Sequence, residues 1–252
     1  MILESTDRYF ITKMTKQDIP QVAAMQLNML SKESSARVIF SLANELAQAN
    51  YLYLVLHRET PETSMKKQTG RIFKVIQPHI RFRLWAKFFS GIKKGSLAFL
   101  NKNVKCRELL GFVGLWFGYN EVHIISIYVN EMYRGKGLGE LLQIAAIRSA
   151  ISSGSDSITL EVRLSNLVAQ RLYEKYGLEK TGYRYKYYRD NDEDALIMTN
   201  PNIQTSDYEA SFYSKIAVYE NRWKTSFDRG FECLVGNSGE FLCSRRENGF
   251  ST

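Results

Sequence analysis

Between Glu121 and Ile151 the chain reads "EVHIISIYVNEMYRGKGLGELLQIAAIRSAI". An apolar strand pattern runs into a loop with glycines at 135, 137 and 139, and a helical pattern begins at once. This order constrains the fold more than any other feature of the sequence. It puts backbone N–H groups and the positive end of a helix at one point, the arrangement that receives an anion. Glycines there allow positive φ and close approach to a ligand. Two common phosphate loops are excluded. A P-loop needs Ser or Thr after Lys136, where Gly137 stands, and G-x-G-x-x-G needs glycine where Glu140 stands. What remains is Arg134-x-x-Gly137-x-Gly139 behind a strand, which on its own also suits a plain strand–helix connection.

The flanking segments extend an α/β pattern. Tyr9 to Lys13 reads as a strand, followed by a helix with Thr15 as N-cap and Asp18 three residues on. "ARVIFSLANELAQAN" is a second helical pattern and "YLYLVLHR" a buried strand. Leu52–Leu56 and Leu110–Phe117 are expected as hairpin neighbours. The helix that follows the glycine loop should end at Gly154. In "SITLEVR", Ile158, Leu160 and Val162 share one face, while Thr159, Glu161 and Arg163 share the other. A short helix follows, with Ser165 or Asn166 at its cap and Gly177 past its end. "TGYRYKYYRDNDEDALIM" reads as a hairpin with an acidic turn, and a further helix is expected beyond Ile203. The last thirty or so residues read as a weakly ordered tail.

The net charge of +8 is a local property. From Ser64 to Arg107 there are twelve Lys or Arg and no Asp or Glu, which leaves −4 for the rest of the chain. Within "PHIRFRLWAKFFSGIKKG", Leu84, Trp85, Phe88, Phe89 and Ile92 fall at helical spacing, with Arg83, Lys87 and Lys94 elsewhere on the wheel. Three readings stay open: a basic amphipathic helix on an anionic membrane, a contact with ribosomal RNA, or a helix packed on the domain with solvated lysines. Cys106, Cys233 and Cys243 are odd in number and form no C-x-x-C, a poor basis for a disulfide framework or zinc site. With three histidines no metal ligand cluster is expected. The first residues lack a secretory pattern, and no apolar run reaches the roughly 18 residues of a spanning helix. The expected location is cytoplasmic, peripheral to a membrane or ribosome if the basic segment docks there.

The loop pattern resembles the pyrophosphate loop of the GNAT superfamily of acyl-CoA-dependent N-acetyltransferases, R/Q-x-x-G-x-G/A. "TLEVRLSNLVAQRLYEKYGLEKTGYRYKYYRDNDEDALIM" (Thr159 to Met198) further resembles the RimI type, the ribosomal-protein-alanine N-acetyltransferases. It carries that type's L-E-V-R-x-S-N, L-Y-E-x-x-G, Y-Y and E-D-A-x-I-M runs. The likeness spans roughly residues 8 to 200 apart from the basic segment. It implies a GNAT fold: α/β, with a mixed, mostly antiparallel sheet of about seven strands flanked by helices. The sheet would open in the middle to admit acetyl-CoA. The expected divisions are 1–59 and 108–200 for the two parts of the GNAT domain, 60–107 for the basic insertion, and 201–252 for a C-terminal helix and tail.

The resemblance also implies roles. Glu161 would be the general base and Tyr173 the proton donor to the departing thiolate. Ile127, Tyr128 and Val129 would form the strand edge that pairs with the pantetheine arm. Arg134, Gly135, Lys136, Gly137, Leu138, Gly139 and Glu140 would hold the pyrophosphate, and Asn166 would touch the cofactor. Each has a plainer reading: a paired strand glutamate, a packed tyrosine, a helix N-cap. His123 is a rival base, expected on the same strand face as Ile125 and Ile127. The implied reaction is direct transfer from acetyl-CoA to a protein N-terminal α-amine, without metal, covalent intermediate or DNA. The implied acceptor is the alanine of a small-subunit ribosomal protein. RimI-type chains carry a Pro-Trp-Ser-like stretch after the first helix, whereas "LNMLSKESSARVIF" has neither Pro nor Trp, so another N-terminal preference stays open. The rival class is a non-catalytic module that senses acyl-CoA or docks on ribosomes or membranes.

Overall fold

The computed structural model describes residues 9–29, 35–59, 107–224, 231–235 and 241–245. The chain runs β1 (Tyr9–Lys13), α1 (Ile19–Met29), α2 (Ser35–Leu46), β2 (Tyr51–Glu59), β3 (Arg107–Phe117) and β4 (Glu121–Val129). After a 3-10 turn at Glu131–Tyr133 come α3 (Leu138–Ser152), β5 (Ser157–Arg163), α4 (Leu167–Lys175), β6 (Glu179–Tyr188), β7 (Glu193–Asn200) and α5 (Ser206–Lys224). Seven strands form one sheet in the order β1-β2-β3-β4-β5-β7-β6. Only the β4–β5 pair is parallel. The expected β2–β3 hairpin is present, and its last register pair is Glu59 with Arg107, at the two ends of the basic segment. That segment, with the helix expected in it and Cys106, lies outside the described residues.

Strand alternation gives the sheet two cores. Ile11, Leu54, Leu56, Val113, Leu160 and Val162 face α3, a helix buried nearly all round, together with Phe212 and Ile216 of α5. Tyr53, Val55, Phe112 and Tyr128 face the other way, onto Val22 and Ala23 of α1 and Val38 and Leu42 of α2. A one-residue slip of β5 would turn Ile158, Leu160 and Val162 out of their core, costing roughly 1.5–3 kcal/mol for each. The register is therefore strongly fixed, and it fixes where Glu161 points.

Two irregularities open the centre of the sheet. Gly114 pairs with Ser126 but Leu115 pairs with Ile124, so Ile125 is an extra residue bulged out of β4. Beyond it β4 parts from β5, because their pairing ends at Ile124 with Leu160. From Ile127 to Val129, β4 is bonded to β3 on one side only, while Glu161 to Arg163 of β5 pair with β7. The bulge also corrects the expected faces. Ile127 packs on the α3 side with Val122 and Ile124, whereas His123 points to the opposite side with Glu161.

The C-terminal stretch expected as a weakly ordered tail contains a two-stranded antiparallel sheet, β8 (Phe231–Val235) with β9 (Phe241–Arg245). Its register sets Cys233 opposite Cys243, two positions that sequence spacing alone did not relate. Among the described residues no helix is long and apolar enough to cross a membrane.

Candidate active site

The loop after β4 is held from several directions. Arg134 donates from Nε to the carbonyl of Val129 at 3.1 Å, capping the end of the parted edge. Lys136 places Nζ 5.0 Å from the centroid of the Tyr133 ring. Tyr133 in turn bonds Glu108 and Arg58, whose guanidinium lies 5.1 Å over the same ring. Gly135 and Gly137 have φ of +75° and +73°, where a side chain is strained. A Cβ on Gly135 would meet nothing within 4 Å, so the glycine is there for backbone conformation and leaves open space above it. In α3 the first amide to find an acceptor is Leu141, bonded to the Gly137 carbonyl at 3.0 Å. The amides of Leu138, Gly139 and Glu140 precede it and are left by helix geometry for an outside anion. Open space, outward amides, two cations and a parted strand edge fit the pyrophosphate and pantetheine of acetyl-CoA.

At the point where β4 and β5 separate stand His123 and Glu161. His123 Nε2 lies 2.5 Å from Glu161 Oε2, and Arg184 of β6 donates from Nε to Oε1 at 2.7 Å. The Glu161 side chain is 7% exposed, so these partners decide its charge. Burial pushes its carboxyl up, but the hydrogen bond and charge of His123, with Arg184 behind them, outweigh that and hold it below the ordinary carboxylate range. Glu161 is therefore ionised at neutral pH and stands in hydrogen-bond contact with His123 Nε2. The two candidate bases are thus one hydrogen-bonded pair.

Tyr173, on α4, is 4% exposed within the core that α3 covers. Burial raises its hydroxyl well above the usual tyrosine range, and the nearby Tyr188 adds to this. It is held protonated, as a proton donor must be, and no hydrogen bond among the described residues joins it to Glu161. Tyr188 itself lies under the Arg163 guanidinium, 3.9 Å from its ring centroid. Asn166 is the N-cap of α4, accepting from Ala169 N at 3.2 Å, and Ser165 is not.

The site has members that sequence reasoning missed. Arg184 reaches Glu161 across β7, where Ala195 is the register partner of both Arg184 and Arg163. Arg163 donates to both oxygens of Asp190 at 2.9 Å and to Glu193 at 3.0 Å, with its guanidinium 3.9 Å over the Tyr188 ring. Glu193 also takes the Ser165 amide at 2.8 Å; the Ser165 contacts, followed by Arg163 and Asn191, hold its carboxyl down at about 2. Between Arg184 and Tyr188 the β6 register slips, and Lys186 sits there at φ +50°, its amide bonded to Asp194 at 2.7 Å. The acidic turn thus grips β5, the entry to α4 and the β6 bulge together. The only sequence signal was the density of acids opposite a basic and tyrosine-rich strand.

The sheet is thus parted between β4 and β5, with a glycine loop beyond one strand and a carboxylate–histidine pair at the fork. Residues 64–178 match the acetyltransferase (GNAT) family model. The chain is 42% identical over 91 residues, 36% of this chain, to a Bacillus subtilis (strain 168) protein that carries the name of a ribosomal protein bS18-alanine N-acetyltransferase. It is 37% identical over 84 residues, 32% of this chain, to the ribosomal protein bS18-alanine N-acetyltransferase of Escherichia coli (strain K12). These matches span 60% and 57% of the relatives' own lengths. In fold the chain resembles the spermidine/spermine N-acetyltransferase of Vibrio cholerae, with a TM-score of 0.52 and 15% identity over 80% of this chain and 96% of that one.

Proposed function

We propose that this chain acetylates the α-amine of a protein N-terminus with acetyl-CoA as donor. The observation that carries the reading is the Glu161–His123 pair at the fork of β4 and β5, beside a loop built for phosphates. When bound, acetyl-CoA supplies the acetyl group as a thioester. The edge from Ile127 to Val129 would hold its pantetheine arm, the amides from Gly135 to Glu140 with Arg134 and Lys136 its pyrophosphate, and Asn166 the region between. Glu161 and His123 take the proton that the amine loses as its nitrogen bonds the acetyl carbon. Tyr173 gives its proton to the sulfur as the carbon–sulfur bond breaks. An α-amine has a pKa of about 8 against about 10.4 for lysine, so an N-terminus needs only this modest base near neutrality.

The names of the relatives favour an N-terminal alanine of a small ribosomal protein as acceptor. The missing Pro-Trp-Ser-like stretch favours a broader preference than theirs. The basic segment suits a phosphate-rich surface, either ribosomal RNA or an anionic membrane, which would place the protein at one of those sites in the cytoplasm. Thiol release from acetyl-CoA with peptides beginning in Ala, Ser or Met, and with a blocked peptide carrying internal Lys, tests the reading. Turnover with free N-termini and none with the blocked peptide is expected. Turnover only on lysine would overturn the acceptor class, and CoA binding without turnover on any peptide would favour the non-catalytic module.

A further inference from the structure

Glu140 is the third residue of α3, so its backbone N–H belongs to the set that faces the anion. Its side chain is the anomaly. A carboxylate in the first turn of a helix gains from the dipole, and there it would occupy or repel the place of a phosphate. Instead it is turned inward, 10% exposed, and bonded to Lys175 Nζ at the end of α4. Tyr176, fully buried, donates its hydroxyl to the same oxygen at 2.8 Å. A carboxylate is taken out of water only when paired, and these two groups are the pair. α5 closes the arrangement from outside, where Tyr219 donates its hydroxyl to the Gly137 carbonyl at 3.3 Å.

We propose that Lys175 is the residue that makes this glycine loop selective for a phosphate-bearing donor, by neutralising Glu140 and keeping its carboxylate away from the amides. The inference deepens the acetyl-CoA reading and rests on it. Lys175 acts through Glu140 and is a positioning residue. The same link joins the first turn of α3 to α4, which carries Tyr173 two residues before Lys175. The loop that takes the pyrophosphate and the helix that supplies the proton are therefore held in one frame. Without Lys175 the carboxylate has two outcomes, exposure toward the anion or burial with one partner, and both oppose a phosphate.

Calorimetry on the full chain tests this, with CoA and with pantetheine, which shares the thiol arm but lacks the phosphates. Lys175→Met should weaken CoA binding by about tenfold or more, the scale of one uncompensated charge near a partly buried site, and leave pantetheine within about twofold. Glu140→Gln should tighten CoA binding by about two- to tenfold, since it keeps the Tyr176 bond and its own backbone amide and loses only the negative charge. The double variant should return to within about threefold of the parent. Equal losses for CoA and pantetheine in Lys175→Met would make the pair a mere brace and overturn the proposal, as would a double variant no better than Lys175→Met. If Lys175→Met does not fold, the neutral double variant decides: parent-like CoA binding supports the proposal and a large loss sinks it. A parent chain that binds no CoA would instead defeat the acetyl-CoA reading itself.

Discussion

Glu161 is hydrogen-bonded to His123 and Arg184, and its carboxyl sets a pH dependence of the fold. The folded-state pKa of Glu161 is lowered, so its stabilising contribution is present above the unfolded carboxyl value of about 4.3 and is lost as pH falls through the folded value. Glu161→Gln should therefore destabilise the fold at pH 7, and the gap from the parent chain should close on acidification below about pH 4. Denaturant titrations at both pH values check this, and a constant gap would refute it. In catalysis the same variant should lose on the order of 10²- to 10⁴-fold in kcat/KM at pH 6.5 and recover partly above about pH 8, where the amine sheds its own proton. Tyr173→Phe should show no such recovery, because the amine cannot supply the proton that sulfur needs. Gly137→Val addresses the other end of the site. A branched residue at φ +73° costs roughly 1–2 kcal/mol, and it also puts methyl groups where the phosphate must meet the amides. A folded variant with unchanged affinity for CoA would remove the loop from the site.

The elements were legible in proportion to how local their causes are. β5 could be read because Ile158, Leu160 and Val162 alternate, and α4 because Asn166 and Gly177 bracket it. The glycine loop needed only its own residues. The site around Glu161 was less legible because it is built across strands: Arg184 is 23 residues away, on a strand that does not adjoin β5. No periodicity encodes that β7 comes between them. The bulge at Ile125 was invisible for a similar reason, since an extra residue shows only against the register of β3. It moved Ile127 off the face of His123, while the direct pairing of His123 with Glu161 came from the parallel contact of β4 and β5. Gly111 shows how tightly the parted strand is backed. A Cβ there would stand 2.4 Å from the carbonyl oxygen of Tyr128. Gly111→Ala should thus cost about 1–3 kcal/mol by overpacking and displace the edge from Ile127 to Val129, proposed above to hold the pantetheine arm. A lowered melting temperature with weaker binding of both CoA and pantetheine is the expected result. That equal loss separates it from the phosphate-selective effect of Lys175→Met.

For the whole molecule, the division of charge poses the remaining question. Twelve cations without an anion are concentrated between positions 64 and 107 of a chain whose other residues sum to −4. The structure supplies a clean way to remove eleven of them. Glu59 and Arg107 are register partners at the end of an antiparallel pair, so residues 60–106 can be replaced by a short Asn-Gly turn without disturbing β2 or β3. Arg107 must stay because it completes that register, and Glu108 because it holds Arg58 and Tyr133 beneath the phosphate loop. The shortened chain should keep CoA binding and peptide acetylation within a few-fold of the parent. It should lose attachment to ribosomes and to vesicles rich in anionic lipid, both of which the parent should bind at low salt. If phosphate contacts dominate, the logarithm of the parent's affinity should fall linearly with the logarithm of salt concentration. Binding that survives high salt and disappears in Trp85→Ala with Phe88→Ala would assign the segment to a bilayer, because aromatic insertion is not screened. A parent chain that binds neither surface at low salt would refute the docking role. The deletion should then damage catalysis or stability, since the segment's apolar side chains would be covering the rest of the chain.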